Sequence, residues 1–361
     1  MIKKYFSFLS VVLVSTTVFY GTTQKPKNII LLIGDGMGIS QVTASVLSMS
    51  NDQFRKFPTV GLINTTAADK LVTDSAASAT AFSTGYKTNN GKIGIDPDGK
   101  VLTNIVETAI KNKKSTGVIA TSSVTNATPA AFLAHVESRK SEFEIAAQIL
   151  NSKVDFLAGA GTDFFLPKEI GGKREDGKNY IDSMKAKGYE YLSDTAKAAS
   201  IIAQKKFFGL FAKHALPPGN QRSFTLGNLT KAAIQLLSKN RNGFFLMVEG
   251  SQMDWAADRN DKDYLFAEQR DFNSAIEEAL QFAQKDKNTL VIVLADHDTG
   301  SLGVSARNKV TGELDVVWAT KQHTANFVGM FSYGPAANLF GGIQENCDVG
   351  KKLISLTEFL P

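Results

Sequence analysis

Residues 28–35 read NIILLIGD, a continuous apolar run that ends at Gly34 and the acidic Asp35. Such a run is typical of a strand buried on both faces, as in a parallel sheet covered by helices. In open α/β sheets, reactive side chains gather just beyond the carboxyl ends of the strands. The stretch therefore predicts both a central strand and, at Asp35, a candidate functional position.

The same alternation of apolar β-rich segments with helical segments continues along most of the chain. It predicts an α/β fold with a mostly parallel central β-sheet and helices on both faces. The clearest helix is predicted over about Tyr264 to Gln284, where apolar residues recur at helical spacing. The predicted strands are Asn28–Ile33, Thr59–Ile63, Thr116–Ala120, Val154–Ala158, Gly243–Val248, Thr289–Leu294 and Phe327–Phe331.

Composition places the chain among ordinary globular proteins. Of its 361 residues, 43% are hydrophobic and 21% charged, which excludes the disordered and membrane-embedded classes. The net charge of +5 is small for this length, and the basic residues are scattered, so no nucleic-acid partner is expected. A single cysteine, Cys347, excludes an intrachain disulfide.

Residues 1–23 have the pattern of a signal peptide with an approximate cleavage site. Lys3 and Lys4 precede an apolar stretch over 5–20, which is shorter than a membrane span prefers. We therefore expect a periplasmic or secreted protein without a stable membrane anchor. Residues 24–361 are predicted to form one domain, and the Gly-, Pro- and Lys-rich segment at about 163–224 is expected to decorate the sheet as a small insertion.

Acidic residues follow three of the predicted strands: Asp35 after the first, the stretch Glu249–Asp258 after another, and Asp296-His297 after a third. A carboxylate at a buried strand end is costly unless it is paired, protonated or bound to a cation. These carboxylates outnumber the nearby arginine, which favours bound metal ions. The imidazoles of His297 and His323 favour Zn²⁺, Mn²⁺ or Fe over Ca²⁺ or Mg²⁺.

Ser75 lies in the run VTDSAASATA, residues 72–81, at the predicted first turn of an Ala-rich helix. The free N–H groups and partial positive charge of a helix N-terminus stabilise an anion there. Ser75 is therefore a candidate nucleophile. A plain helix cap formed by Asp74 or Ser75 is the alternative that this run alone leaves open.

Six blocks in order resemble the alkaline phosphatase family over nearly the whole chain after residue 23. The blocks are LLIGDGMG around Asp35, VTDSAASATAFSTGYKT around Ser75, NATPAAFLAHVESR at 126–139, VEGSQMDW at 248–255, ADHDTG around Asp296, and His323-Thr324. The resemblance implies hydrolysis of small phosphate esters, an alkaline phosphatase-like fold and a covalent phosphoserine intermediate on Ser75. It also implies that Arg139 binds the phosphoryl group with its planar fork; a surface ion pair of Arg139 with Glu137 or Glu142 is the alternative.

The resemblance further implies two zinc ions and one magnesium ion, held by three sets of residues. The first zinc would be bound by Asp35, Asp296 and His297, and the second by Asp254, Asp258 and His323. The Mg²⁺ would be bound by Asp35, Thr128 and Glu249. Asn126 is expected near the Mg²⁺, and Trp255 at the rim of the substrate site.

The chain departs from the family pattern at two of these positions. Asp258 stands where the family has His, which lowers the charge of that ligand set by one. We expect weaker zinc binding there and acceptance of Mn²⁺ or Mg²⁺ as well. Asn126 stands where the family usually has Asp or His, which predicts low Mg²⁺ affinity.

The resemblance therefore predicts an alkaline phosphatase, a phosphoric monoester hydrolase of broad specificity. A phosphodiesterase of the same superfamily is one alternative, and a weakly active metal- or phosphate-binding homologue, suggested by Asp258 and Asn126, is another. A sulfatase is disfavoured because its modified Cys or Ser motif is absent. The resemblance also implies a homodimer, although a monomer stays open.

Overall fold

The predicted strand at residues 28–33 lies near the middle of a ten-stranded sheet in the computed structural model, which describes residues 24–194 and 206–358. The predicted signal peptide lies outside those residues. Within them the strands are β1 (Asn28–Gly34), β2 (Thr59–Asn64), β3 (Ser115–Ser123), β4 (Phe156–Ala160), β5 (Glu190–Leu192), β6 (Phe207–Leu210), β7 (Phe244–Gly250), β8 (Thr289–Leu294), β9 (Asp298–Thr299), β10 (Leu302–Arg307), β11 (Leu314–Trp318), β12 (His323–Thr324), β13 (Val328–Tyr333) and β14 (Gly342–Glu345).

The helices cover both faces of this sheet. They are α1 (Ile39–Ser48), α2 (Ser75–Thr84), α3 (Ile105–Lys111), α4 (Ala127–Ala130), α5 (Glu142–Ile149), α6 (Thr162–Phe165), α7 (Tyr180–Ala186), α8 (Leu226–Leu237), α9 (Gln252–Asp258), α10 (Lys262–Asp286) and α11 (Asn346–Thr357). No helix in the described ranges is long and apolar enough to span a bilayer.

The strand order is β14-β2-β13-β8-β1-β7-β3-β4-β6-β5, and the sheet is parallel except at β13. Strand β13 runs antiparallel to both β2 and β8. The predicted α/β fold with a mostly parallel sheet is confirmed. Every residue of β1 and β8 is buried, as their continuous apolar sequences require for strands covered on both faces.

The segment at about 163–224 does more than decorate the sheet. Its strands β5 and β6 extend one edge, with β6 parallel to both β4 and β5. Strand β6 has only four residues and β5 only three. Such short strands carry little periodicity, so the sequence pattern of this segment did not reveal them.

The strand registers bring the acidic positions to one edge of the sheet. Ile33 of β1 pairs with Glu249 of β7 on one side and with Leu294 of β8 on the other. The chain positions that follow each strand are therefore level with one another. This alignment sets Asp35, Glu249 and Asp296 side by side although they are far apart in sequence.

Candidate active site

Helix α2 presents Ser75 at its first position, and Asp74, not Ser75, is the cap. The Asp74 side chain accepts a hydrogen bond from the N–H of Ala77 at 2.9 Å. All ten residues of α2 are buried, which small Ala and Ser side chains permit because they allow close packing on every face. Ser75 therefore keeps its hydroxyl for another partner, and its Oγ lies 3.3 Å from Nε2 of His297.

Asp35, Asp296 and His297 form a group whose ligand atoms all lie within 4.8 Å of one another. Nε2 of His297 lies 3.4 Å from Asp35 Oδ1 and 3.2 Å from Asp296 Oδ2. Those two buried oxygens have no hydrogen-bond partner among the described residues. Orphaned carboxylate oxygens that converge on an imidazole nitrogen fit a cation such as Zn²⁺.

The electrostatics of this group favour a bound cation. Burial, reinforced by the carboxylates of Asp296, Asp254 and Glu249, raises the pKa of Asp35 well above its ordinary value. Burial lowers the pKa of His297, which favours the neutral imidazole that binds metals. The site holds more acid than its own cations neutralise.

A second group shares His297 with Asp254 and His323. Nε2 of His323 lies 3.4 Å from Asp254 Oδ1, and the two imidazole rings stack with centroids 3.6 Å apart. Nδ1 of His323 donates to the carbonyl of Thr73 at 3.1 Å, so Nε2 faces the site.

The charges of this second group depend on one another. Burial alone would raise the pKa of Asp254, but hydrogen bonding to His323 and the nearby imidazoles lower it to about 2. Burial opposes protonation of His323, but the bond to Asp254 raises its pKa to about 9. A bound cation would take the place of that proton.

Glu249 and Thr128 offer oxygen ligands beside the first group. Glu249 Oε1 and Thr128 Oγ1 are both buried, and the part of the chain that the structure describes gives neither a hydrogen bond. Burial raises the pKa of Glu249 to about 7, although Ser251 donates to its Oε2 at 2.6 Å. A donor set of hard oxygens fits Mg²⁺ better than a softer metal.

Arg139 binds Asp74, the residue before Ser75, and forms neither of the ion pairs that were the alternative to phosphoryl binding. Its Nη1 donates to Asp74 Oδ2 at 3.1 Å, whereas Glu137 pairs with Lys92 and Glu142 accepts from Thr125. Arg139 thus binds the residue directly before Ser75, and almost a third of its side chain is exposed. A guanidinium held in this way can also bind a phosphoryl group at Ser75.

Three expected site residues lie at the edge of this arrangement. Asp258, one helical turn after Asp254 at the end of α9, is exposed and outside both groups of close ligand atoms. It lines an open pocket with His323, Asp74 and Lys321. Asn126 caps α4, and its Oδ1 accepts from the N–H of Ala127 at 2.7 Å. Trp255 is half-buried beside Asp254 on α9.

The sequence reasoning missed two polar residues of the site. Asp74 was considered only as a cap, yet it links the N-terminus of α2 to Arg139. Thr299 was passed over inside the block ADHDTG, yet its hydroxyl contacts both Asp254 and His297. A polar residue within a buried strand-end block is the signal that could have drawn attention to Thr299.

Comparison with known proteins gives one consistent result. The sequence profile of the alkaline phosphatase family matches residues 26–313. Alkaline phosphatase 4 of Bacillus subtilis (strain 168) is 37% identical over 315 residues, which are 82% of this chain and slightly less than two thirds, 66%, of that relative. Alkaline phosphatase of Escherichia coli (strain K12) is 35% identical, with 88% of this chain and 84% of the relative covered.

A solved structure agrees with the sequence relatives. The alkaline phosphatase of the Antarctic bacterium TAB5 superposes with a TM-score of 0.88 at 39% identity, covering 94% of this chain and all of that one. The range matched by the family profile contains Ser75, Arg139 and all members of the two candidate metal groups except His323. The chain belongs to the alkaline phosphatase family.

Proposed function

We propose that this protein hydrolyses phosphate monoesters with Ser75 as the nucleophile. The observation that carries the proposal is the position of His297. His297 belongs to both groups of candidate metal ligands, and its Nε2 lies 3.3 Å from the Ser75 hydroxyl. Family membership supports the same activity.

The reaction proceeds in two displacements at phosphorus. A bond forms from Ser75 Oγ to phosphorus while the bond to the ester oxygen breaks; Ser75 gives up its hydroxyl proton, the ester oxygen takes up a proton, and the alcohol leaves. Water then displaces Ser75 from the phosphoserine and releases inorganic phosphate. The N-terminus of α2 stabilises the negative charge at the phosphoryl oxygens.

Arg139 binds the phosphoryl group and favours a monoester. Its guanidinium can donate two parallel hydrogen bonds to two phosphoryl oxygens. A monoester dianion has three non-bridging oxygens, so two can accept from Arg139 while the third faces the metal positions. A diester has only two non-bridging oxygens. The bond from Arg139 to Asp74 holds the guanidinium near Ser75 before substrate arrives. Trp255, beside Asp254, is assigned to the substrate rim.

The metal assignment follows from the donor sets. Asp35, Asp296 and His297 would hold one Zn²⁺. Asp254 and His323 would hold a second, with Asp258 as its weaker third ligand, and Glu249, Thr128 and Asp35 would hold a Mg²⁺. When bound, these ions activate the serine hydroxyl, stabilise the leaving oxygen and neutralise the phosphoryl charge.

Two substitutions weaken the metal sites in this proposal. Asp258 is exposed, so its shorter side chain reaches the second zinc position less well than the histidine of the family would. Asn126 supplies an amide oxygen without charge near the Mg²⁺ position. We therefore propose a loosely held metal at the second position and low Mg²⁺ affinity. Export and the homodimer stay predictions.

Hydrolysis of a chromogenic aryl phosphate tests the nucleophile. We expect Ser75→Ala to lose at least about 10³-fold in kcat, as removal of a covalent nucleophile does. Ser83→Ala is the matched control, because Ser83 is buried in the same helix and bonds only Thr80 within the described residues. A Ser75→Ala variant that kept its rate would end the proposal.

Two further measurements separate the alternatives. Chelation should abolish the activity and Zn²⁺ with Mg²⁺ should restore it. Comparison of an aryl phosphate with a bis-aryl phosphate distinguishes monoesterase from diesterase. A higher kcat/KM for the bis-aryl ester would assign the diesterase activity instead.

A further inference from the structure

A buried threonine hydroxyl lies between the two candidate metal groups. Thr299 Oγ1 lies 2.5 Å from Asp254 Oδ1, which belongs to the second group. The same oxygen lies 3.2 Å from Nδ1 of His297, which belongs to both groups. Thr299 is fully buried on β9, and β9 pairs with β12, which carries His323.

The chemistry of the three groups fixes the direction of both hydrogen bonds. A hydroxyl has one hydrogen, and an ionised carboxylate can only accept. Thr299 therefore donates to Asp254 and turns a lone pair toward His297. Nδ1 of His297 must then carry the imidazole hydrogen, which leaves the lone pair of Nε2 facing Asp35 and Asp296.

The backbone holds Thr299 in this position independently of its side chain. Its N–H donates to the carbonyl of Gly36 at 3.1 Å, and its carbonyl accepts from Nε2 of Gln41 at 2.9 Å. A side chain at residue 36 would place Cβ only 2.8 Å from the Thr299 hydroxyl. Gly36 also has a φ of +69°, in the left-handed region that favours glycine. The chain thus leaves room for this hydroxyl.

We propose that Thr299 is a positioning residue that couples the two metal positions through one pair of hydrogen bonds. It orients the Asp254 carboxylate toward one position and selects the His297 tautomer that serves the other. The inference rests on the metal sites of the proposed function. Asp254 and His297 alone, without Thr299, have no shared hydrogen that would bind their orientations together.

The test measures metal binding rather than turnover. Zinc affinity is measured by competition with a chromogenic chelator for the wild-type protein, Thr299→Val and Thr299→Ser. Valine keeps the shape but loses the hydroxyl, and we expect it to weaken zinc binding about 10- to 100-fold at both positions. Serine keeps the hydroxyl and should restore most of the affinity.

Thr116→Val is the matched control. Thr116 is a fully buried threonine on β3, and its hydroxyl has no hydrogen-bond partner among the residues that the structure describes. Its replacement should leave zinc affinity unchanged. A purely structural role for Thr299 would lower the melting temperature of the metal-free protein while zinc affinity stayed at the wild-type value, and that result would overturn the coupling.

The tautomer of His297 gives a second readout that leaves Thr299 unchanged. The chain has only four histidines, so nitrogen NMR of ¹⁵N-histidine-labelled, zinc-loaded protein is assignable with single His→Gln variants. We expect His297 with hydrogen on Nδ1 and metal on Nε2; the opposite arrangement would overturn the inference. Failure of the wild-type protein to bind zinc would instead remove the proposed function, whereas tight wild-type binding that Thr299→Val leaves unchanged removes only the coupling.

Discussion

Two buried clusters of charge in this molecule are built in opposite ways. At the carboxyl edge of the sheet, the carboxylates of Asp35 and Asp296 keep oxygens without hydrogen bonds. On α10, the carboxylates of Glu268 and Asp271 both bind the guanidinium of Arg222. The three side chains of the α10 cluster are at most 3% exposed. The α10 cluster gives each of its carboxylate oxygens a hydrogen bond, and the sheet-edge cluster does not.

The two clusters differ in which groups bind their buried carboxylates. In the α10 cluster, Arg222 joins the loop before α8 to the helix, and the N–H groups of Gly219 and Leu226 satisfy further carboxylate oxygens. That arrangement is complete and structural. At the sheet edge, Asp35 and Asp296 keep buried oxygens that no described residue binds, which is the basis of the proposed metal site. An incomplete buried cluster is thus the better indicator of a metal site than the number of acids.

The largest effect is expected when the complete cluster is broken. Arg222→Met leaves two buried carboxylates without their cation, and we expect the free energy of unfolding to fall by about 3–5 kcal/mol. Urea titration of the wild-type protein and the variant measures this loss. Zinc affinity should stay unchanged, because the α10 cluster contributes no metal ligand.

Lys231→Met is the control for Arg222→Met. Lys231 joins α8 to the same helix, α10, through a partly exposed ion pair of 3.3 Å with Glu278. A surface pair contributes at most about 1 kcal/mol. Equal losses in the two variants would contradict the distinction between a complete buried cluster and an ordinary surface pair.

Neutralising one acid of the sheet-edge cluster should stabilise the metal-free protein, whereas breaking the α10 cluster destabilises it. In chelator, Asp35→Asn removes a buried carboxylate that lacks a partner, so we expect the metal-free protein to gain about 1–3 kcal/mol. With saturating Zn²⁺ the order should reverse, because the wild-type protein alone keeps its full ligand set. Melting temperatures of the wild-type protein and Asp35→Asn, measured in chelator and in saturating Zn²⁺, test this reversal.

Asp271→Asn supplies the comparison for Asp35→Asn. Asp271 already has Arg222 and the N–H of Leu226 as partners, so its neutralisation should destabilise the protein with or without zinc. A loss of stability for Asp35→Asn in chelator would show that the sheet-edge cluster is as complete as the α10 cluster.

The sequence predicted the strands of the sheet better than the side-chain contacts of the site. Long apolar runs such as 28–33 and 289–294 are unambiguous, and the structure confirms them as β1 and β8. Short β5 and β6 lack such a signal. Strand-end acids could be expected to meet because parallel strands end at one edge.

Side-chain partners were harder to predict than strand ends. The bond between Arg139 and Asp74 depends on how the loop at 85–91 folds back, since the N–H of Gly91 also binds Asp74 and its carbonyl accepts from Arg139. The exposure of Asp258 depends on where α9 ends. Residue spacing cannot predict either property, because both depend on the tertiary contacts of loops.

A smaller effect is expected from completing the second metal position. Asp258→His restores the residue type of the family at the end of α9, and its longer side chain can reach toward Asp254 and His323. We expect zinc affinity at that position to rise about tenfold, with higher activity in added Zn²⁺. Chelator competition and a zinc titration of aryl phosphate hydrolysis measure both. Unchanged affinity and rate would refute the assignment of Asp258 to this site.

The smallest effect concerns a titratable pair outside both clusters. His135 binds the carbonyl of Gly94 and the carboxylate of Glu107, and these bonds raise its pKa even though burial acts against protonation. A group with a raised pKa in the folded state contributes stability below its ordinary pKa, near 6.5, and loses it as pH rises through the folded value.

His135→Gln keeps the size and a hydrogen-bonding group but cannot become charged. We therefore expect the wild-type protein to be more stable than His135→Gln near pH 6 and to lose that advantage as the pH rises through the raised pKa. Burial would raise the pKa of Glu107, but the bond to His135 lowers it. The stability that ionised Glu107 contributes is therefore lost only as the pH falls below about 4.5. Unfolding at a series of pH values measures the difference, and an advantage that grew toward pH 9 would show that protonated His135 does not stabilise the fold.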